Sequence, residues 1–350
     1  MRISTVLLLA LVIAVPGCAG VGTESLPGRP AHHVAGGYKN LDPSYRRPGA
    51  WTRIRFFARR GWSSLARTPA FTPPQESADG LGAGRALRQE NPEPSVTWIG
   101  HATLLIQLGG VNLLTDPHWG ERASPLRWAG PKRLAPPGLP FEELPRIDAV
   151  VISHDHYDHL DVGTVVRLAK VHDPLFLVPL GYTAWFAGAG ITRVEELDWW
   201  QSRRVGAVEV VCAPAQHWTQ RSPFDTNRRL WASWIVLGAA RRFYFSGDSG
   251  YHDGFREIGT RFGPFDLAAL AIGAYLPPEL MQRNHVTPEE AVQAFVDVRG
   301  QRLLGIHWGT FDLAEEPLGE PPGRMVREAG RRGIAPDRTW LMKVGETRRW

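Results

Sequence analysis

Regular patterns of hydrophobic and polar residues begin only near residue 94. From there the chain carries short apolar runs rich in valine, leucine and isoleucine, which are typical of strands. Strands are predicted at residues 96–99, 103–108, 111–115, 149–152, 175–178, 208–213, 232–237, 242–246, 267–272 and 303–306. Gly109 and Gly110 separate two of these runs and predict a two-residue hairpin turn.

Two segments between strands have the periodicity of amphipathic helices, at residues 162–171 and 288–298. The second follows Thr287, with Pro288 in its first turn and Glu290 three residues after the threonine. This arrangement predicts a capping box at the start of the helix. Strands that alternate with helices predict a layered α/β domain, which we place at residues 94–350.

The N-terminus has a different character. Arg2 precedes an apolar run at residues 6–15, which is shorter than the roughly 20 residues needed to span a bilayer but has the length of a signal-peptide core. The tetrapeptide at residues 15–18, Val-Pro-Gly-Cys, resembles a bacterial lipobox. We therefore expect residues 1–18 to be a signal peptide ending at a lipidated Cys18. The protein would then be exported to the bacterial cell envelope and anchored to a membrane facing the periplasm, with a plain secretory signal as the alternative.

Residues 19–93 are rich in glycine, proline and arginine, and we expect them to form an N-terminal extension that packs on the α/β domain. Within them, residues 51–62 alternate aromatic side chains with arginine. Such a stripe either packs against the domain or lies on a membrane surface, and we favour packing.

Charge and cysteine content exclude some classes of function. The 350 residues carry a formal net charge of +5, but nearly all positive charge is arginine and it is scattered, so we expect no nucleic-acid partner. Only Cys18 and Cys212 are present, which provides no disulfide framework. Cys212 falls in a predicted strand, where a small buried side chain is expected.

A cluster of histidine and aspartate residues directly follows the predicted strand at 149–152. Residues 153–161 read Ser-His-Asp-His-Tyr-Asp-His-Leu-Asp. His154 and His156 are two positions apart on extended backbone, so their side chains point the same way. Asp158 and His159 follow where the chain turns toward the next helix and can face the same volume.

Three more ligand-type residues, His217, Asp248 and His307, each follow a predicted strand. In open α/β sheets, ligand-binding sites lie at the edge formed by the carboxyl ends of the strands. Any one of them could be an ordinary histidine or a turn aspartate. Together, five histidines and two aspartates suit two metal ions, zinc or a similar borderline metal. Ions about 3.5–4 Å apart could share an aspartate and a bridging hydroxide.

The motif His154-x-His156-x-Asp158-His159 is similar to the signature of the metallo-β-lactamase superfamily, whose fold is a four-layer αββα sandwich. Within that superfamily the chain resembles the N-acylphosphatidylethanolamine-hydrolysing phospholipase D family. The runs that carry this likeness are residues 98–103, 115–117, 122–125, 130–133, 216–218, 247–251, 272–275 and 306–311. His32-His33 and residues 37–40 extend it into the N-terminal segment.

The resemblance implies a role for each candidate ligand. One Zn²⁺ would be bound by His154, His156 and His217, the other by Asp158, His159 and His307, with Asp248 bridging. Other divalent metals could replace zinc. The two ions would hold a bridging hydroxide for attack on phosphorus.

Further site residues are implied around these ligands. Asp158 would also orient the hydroxide, and His285 would bind the phosphate or protonate the leaving oxygen, with Asn284 as its neighbour. Asp116 is expected to accept a hydrogen bond from a ligand imidazole or a backbone amide. His101 is either a structural residue at a strand end or a member of the site.

We therefore predict a zinc-dependent phosphodiesterase of phospholipase D type, acting on N-acylphosphatidylethanolamine-like phospholipids at a membrane surface. One alternative is a metal-dependent lactonase or other small-molecule hydrolase similar to the ascorbate-6-phosphate lactonases. Another is a non-catalytic lipid- or metal-binding envelope lipoprotein, against which the complete ligand set argues. A homodimer is one assembly that the sequence allows.

Overall fold

The computed structural model describes residues 21–49, 51–53, 55–56, 58–59, 71–89 and 93–350. The predicted signal peptide and its lipobox Cys18 lie outside the described residues, as does part of the aromatic stripe at 51–62. Among the helices within these ranges, none is both long enough and apolar enough to cross a bilayer.

The described strands form two seven-stranded sheets and a separate two-stranded one. In chain order they are β1 (His33–Val34), β2 (Gly37–Tyr38), β3 (Ser95–Gly100), β4 (Thr103–Leu108), β5 (Val111–Thr115), β6 (Ala149–Val151), β7 (Leu175–Pro179), β8 (Val194–Leu197), β9 (Ser202–Val205), β10 (Val208–Ala213), β11 (Ser233–Leu237), β12 (Arg242–Phe245), β13 (Leu267–Ala271), β14 (Leu303–Ile306), β15 (Thr339–Trp340) and β16 (Thr347–Arg349). The ten predicted strands are confirmed as β3–β7 and β10–β14.

The helices lie mostly between strands. In chain order the described α-helices are α1 (Ala78–Gln89), α2 (Val162–Val171), α3 (Thr183–Gly188), α4 (Gly254–Phe262), α5 (Pro278–Met281), α6 (Pro288–Asp297) and α7 (Glu320–Arg331). Both predicted helices are confirmed, as α2 and α6. Short 3₁₀ turns occur at Phe141–Glu143 and Pro336–Arg338.

The first large sheet has the order β16-β3-β4-β5-β6-β7-β8, and β5 to β8 run parallel. Its β4–β5 hairpin closes between Leu108 and Val111. Gly109 and Gly110 adopt φ of 61° and 77°, a left-handed pair that suits a tight hairpin turn and glycine in particular. The predicted two-residue turn is confirmed.

The second large sheet has the order β15-β14-β13-β12-β11-β10-β9, and β12 to β15 run parallel. The two sheets pack face to face through one apolar core, to which Leu104 and Ile106 of β4 and Val236 of β11 contribute. This core explains why the strands read as nearly continuous apolar runs, since both faces of each sheet are covered.

Helices cover the outer faces of both sheets. On the first sheet, Leu168 of α2 and Phe186 of α3 pack with Phe176 in a second apolar cluster. On the other side, Phe295 of α6 and Met325 of α7 join the main core against the second sheet. The layers therefore run helix, sheet, sheet, helix, and the predicted αββα sandwich is confirmed.

The capping box of α6 fixes the loop that precedes this helix. The Thr287 hydroxyl accepts from the Glu290 backbone N–H at 3.2 Å, and the Glu290 carboxylate accepts from the Thr287 N–H at 2.8 Å. Such a cap contributes about 1 kcal/mol to helix stability. It also holds the position of His285, two residues before the cap.

The N-terminal segment contacts the sandwich at separate places. The Nε2 atoms of His32 and His33 each lie 2.7 Å from one carboxylate oxygen of Asp198. Helix α1 packs beside β3 and β16. In the aromatic stripe, Phe56 is buried whereas Trp51 is 71% exposed.

Several ligand-type residues follow strand ends at one edge of the sandwich. His154 comes three residues after β6, and His307 directly follows β14. His217 and Asp248 come shortly after β10 and β12, which run in the same direction because each is antiparallel to β11. The topology therefore brings these side chains close together at one edge of the sandwich.

Candidate metal centre

The first group of histidines lies beyond the ends of β6 and β10. Nε2 of His154 is 2.9 Å from Nδ1 of His156, and Nε2 of His217 is 3.2 Å from the same Nδ1. His154 and His217 are fully buried and His156 is half-buried. Three imidazole nitrogens therefore converge on one point.

The second group is built around Asp158. Its Oδ2 lies 2.9 Å from Nε2 of His101, 3.3 Å from Nε2 of His159 and 3.4 Å from Nε2 of His307. The Nε2 atoms of His159 and His307 are 3.2 Å apart. His101, for which the sequence favoured neither of two roles, is thus a member of the site.

Asp248 lies between the two groups. Its Oδ2 is 3.0 Å from Nε2 of His159, and its Oδ1 is 3.1 Å from Nε2 of His307. The same Oδ2 lies 3.8 Å from Nε2 of His154 and 4.0 Å from Nε2 of His217. One carboxylate therefore faces donor atoms of both groups.

Asp116 orients His159 from behind. Its Oδ2 lies 2.7 Å from Nδ1 of His159, and its carboxylate also accepts from the backbone N–H of Ser153 at 2.6 Å and from the Ser153 hydroxyl at 2.5 Å. When Nδ1–H of the neutral His159 ring donates a hydrogen bond to Asp116, the electron pair on Nε2 is left to face the site.

His217 is oriented by a backbone carbonyl. Its Nδ1 lies 3.0 Å from the carbonyl oxygen of Asn284, which leaves Nε2 for the first group. The Asn284 side chain turns away and accepts a hydrogen bond from the Tyr45 hydroxyl at 2.6 Å. Asn284 therefore acts on the site through its backbone.

His285 stands beside the centre without completing either group. Its Nδ1 lies 3.7 Å from Oδ2 of Asp248 and has no hydrogen-bond partner although it is buried. The ring centroids of His217 and His307 are 5.1 Å and 5.6 Å from that of His285. The imidazole is free to contact a molecule bound at the centre.

The first group is held neutral. Burial lowers the pKa of His156 to about 3 and depresses the pKa values of His154 and His217 well below that of a free imidazole. A neutral imidazole offers the electron pair that a metal ion needs, so these three side chains are ready to bind one at neutral pH.

The second group attracts positive charge. Burial acts to lower the pKa of His307, but Asp248 and Asp158 raise this pKa to about 9. The same two carboxylates raise the pKa of His159 well above its usual value, again against the effect of burial. A divalent cation would replace these protons, because metal ligands must be deprotonated.

The donor set fits divalent ions. Within each group the donor atoms all lie within 4.8 Å of one another. Ligand atoms around a tetrahedral zinc ion are about 3.3 Å apart, given bond lengths of about 2.0–2.1 Å. The nitrogen pairs at 2.9 and 3.2 Å are close to this spacing, and neutral imidazole with carboxylate is the chemistry that zinc and similar metals prefer.

Three residues of the centre have left-handed backbone conformations. The φ angles of His101, Asp116 and His307 are 52°, 36° and 61°. Side chains other than glycine rarely adopt this region, and strained positions of this kind cluster at functional sites. Each residue lies directly after its strand, where a sharp turn directs its side chain into the site.

The structure brings together all seven predicted ligands, together with Asp116, His101 and His285. It also adds residues that the sequence analysis missed. Ser153 links Asp116 to Nδ1 of His154, which lies 2.9 Å from the serine hydroxyl. Asn40 binds the backbone of His217. The run at 37–40, singled out for its family likeness, was the signal that could have drawn attention to Asn40.

Known proteins resemble this chain in sequence and in fold. The sequence profile of the β-lactamase superfamily domain matches residues 111–308. An uncharacterized protein of Mycobacterium tuberculosis is 40% identical over 332 residues, covering 92% of this chain and 87% of that one. N-acyl-phosphatidylethanolamine-hydrolyzing phospholipase D 1 of Caenorhabditis elegans is 46% identical over 228 residues, covering 62% of this chain and 64% of the relative.

Among solved structures, Igni18, a metallo hydrolase of the archaeon Ignicoccus hospitalis, superimposes with a TM-score of 0.58 at 19% identity. The match covers 74% of this chain and 99% of that one, and shows a shared fold. Fold and donor set together define a metal-dependent hydrolase. The chain belongs to the metallo-β-lactamase superfamily.

Proposed function

We propose that the protein is a dinuclear zinc phosphodiesterase of phospholipase D type that acts on N-acylphosphatidylethanolamine-like phospholipids. The observation that carries this proposal is the position of Asp248 between two donor groups. A carboxylate in this position could contact two metal ions at once, and paired metal ions would support in-line displacement at phosphorus. The name of the Caenorhabditis elegans relative supports the phospholipid class of substrate.

Residues of the centre can fill each role that such a reaction needs. Two divalent ions would supply a hydroxide at neutral pH and offset the negative charge that develops on the phosphoryl oxygens. Asp158, held by His101 at 2.9 Å, can accept a hydrogen bond from the attacking water and orient it. His285 can donate a hydrogen bond to a phosphoryl oxygen or to the leaving oxygen.

The proposal predicts both metal content and product. Elemental analysis of the gently purified protein should find about two metal ions per chain, chiefly zinc. Incubation with N-acylphosphatidylethanolamine should release phosphatidic acid and the N-acylethanolamine, identified by mass spectrometry. Removal of metal by a chelator should abolish release, and added Zn²⁺ should restore it.

The same assay separates the alternatives. Phosphatidylethanolamine and a panel of lactones serve as competing substrates under identical conditions. Turnover of lactones without phospholipid cleavage would indicate that the protein is a lactonase and not a phosphodiesterase. Two bound metal ions with no turnover of any substrate would favour a binding protein.

We further propose that the chain is a lipoprotein of the bacterial envelope, on the basis of the apolar run at 6–15 and the lipobox-like sequence ending at Cys18. Labelled palmitate should enter the full-length protein in bacteria, and Cys18→Ser should prevent this. Exported protein without lipid in the wild type would instead indicate a plain secretory signal.

A further inference from the structure

A segment of the N-terminal extension crosses the rim of the metal centre. We call residues 38–47 the N-terminal strap. Its first residue, Tyr38, donates its backbone N–H to the carbonyl of Asn227 at 2.9 Å. Just upstream of the strap, the Nε2 atoms of His32 and His33 each lie 2.7 Å from a carboxylate oxygen of Asp198, which is a hydrogen-bond distance. The strap is therefore fixed before it reaches the site.

Asn40 holds the backbone of a candidate ligand. Its side-chain Nδ2 donates to the carbonyl of His217 at 2.8 Å, and its Oδ1 accepts from the His217 N–H at 3.1 Å. Asn40 is only 8% exposed, so water does not easily replace either bond. His217 follows β10 in a loop, and this amide satisfies both of its main-chain polar groups.

Tyr45 reaches the ring of the same histidine through an intermediate. Its hydroxyl donates to Oδ1 of Asn284 at 2.6 Å, and the carbonyl oxygen of Asn284 lies 3.0 Å from Nδ1 of His217. The strap therefore supports His217 twice, at the backbone through Asn40 and behind the ring through Asn284.

Arg47 extends the contact along the loop that carries this histidine. Its guanidinium lies 4.3 Å from the centre of the Trp218 ring and donates to Oε1 of Gln220 at 2.7 Å. The strap thus also contacts residues that follow His217 in this loop. Contacts of this breadth fix the orientation of the whole loop.

We infer that the N-terminal strap is a positioning element of the first histidine group, with Asn40 as its principal positioning residue. This inference rests on the proposed metal-dependent function. Groups that orient metal ligands typically account for 10–100-fold in metal affinity when they are removed. The effect should fall on the group containing His217, because the strap residues described above have no contact with His159 or His307.

The inference predicts a selective loss of one metal ion. In the full chain, Asn40→Ala should weaken one of the two metal-binding steps by about 10–100-fold, measured by competition with a coloured chelator. Asn40→Asp keeps the acceptor for the His217 N–H but replaces the donor by a carboxylate oxygen that faces the His217 carbonyl, so it should weaken the same step. The visible spectrum of the Co²⁺-substituted protein should change in these variants, since it reports the ligands around the ion.

Two further variants complete the experiment. Ser44→Ala, an exposed strap position whose hydroxyl donates to Asp42, should leave both binding steps unchanged. Tyr45→Phe keeps the ring and removes the hydroxyl, and should weaken the same step as Asn40→Ala by a smaller factor. This variant tests the inference even if Asn40→Ala does not fold.

The outcomes distinguish the inference from the function on which it rests. A wild-type protein that binds fewer than two ions would overturn the dinuclear proposal and this inference with it. A wild-type protein with two ions, together with Asn40→Asp and Tyr45→Phe variants of unchanged affinity and unchanged Co²⁺ spectrum, would overturn only the positioning role. A lowered melting temperature without a change in affinity would likewise show a merely structural contact.

Discussion

Asp248→Ala should reduce the metal content from about two ions to one or fewer and remove most of the hydrolytic activity. Oδ2 of Asp248 faces both groups, at 3.0 Å from His159 and 3.8 Å from His154, so its loss should weaken both sites together. Lewis-acid stabilisation by a metal ion is worth several kcal/mol in the transition state. Activity should therefore fall by about 10³-fold or more.

Elemental analysis and phosphodiester turnover, measured on the same preparation, test this expectation. Asp253→Ala is a matched control, because that carboxylate is 94% exposed and lies five residues further along the chain. It should keep both metal content and turnover. Full metal content and activity in Asp248→Ala would exclude the bridging role.

His285→Ala should separate metal binding from phosphoryl chemistry. Both donor groups are complete without this imidazole, so the variant should keep both metal ions and its melting temperature. A positioned imidazole that donates to a reacting oxygen contributes about 10²–10⁴-fold, and turnover of a phospholipid should fall by that factor. Nitrophenolate needs little protonation as it leaves, so a nitrophenyl phosphodiester should lose less.

The surroundings of His285 determine its protonation state. Burial lowers the pKa of His285 to about 4, with the attraction of Asp248 acting in the opposite direction. At neutral pH the free side chain is therefore neutral, and a bound phosphodiester anion would favour its protonation.

His252→Ala is the matched control, because that imidazole packs on Phe255 of α4, with ring centroids 4.8 Å apart. Equal losses on both substrates in His285→Ala would leave only phosphate binding. Unchanged activity on both would remove His285 from the mechanism.

The sequence predicted those parts of the fold whose signal is local. The central strands are buried on both faces and therefore appear as apolar runs, and α6 begins with its own capping residues. The edge strands have no such signal. β16 reads Thr-Arg-Arg and exists because it pairs with β3, with Thr347 opposite Thr97 across 250 residues.

Other elements were hidden by their composition. β9 reads Ser-Arg-Arg-Val and is largely exposed at the edge of its sheet. α7 begins with Glu-Pro-Pro-Gly, which resembles a loop, and becomes a helix that buries Met325 and Ala329. In both cases packing overrides a weak local preference.

The residues of the candidate site likewise fall into those with a local sequence signal and those without one. The predicted ligands were visible because each follows a strong strand signal and has a side chain suited to metals. Asn40 was not identified, since asparagine has many structural uses and its partner His217 lies 177 residues away. A contact of that kind follows from the docking of the extension and has no local pattern.

The left-handed backbone at His101, Asp116 and His307 has an evolutionary consequence. Each such residue costs about 1–3 kcal/mol, and glycine would remove most of that cost. Selection for catalysis therefore works against selection for stability at these three positions. A descendant released from its chemistry would be free to accept glycine at them, which removes this backbone cost. Glycine at these positions in a relative would then be a mark of lost activity, readable from sequence before any assay.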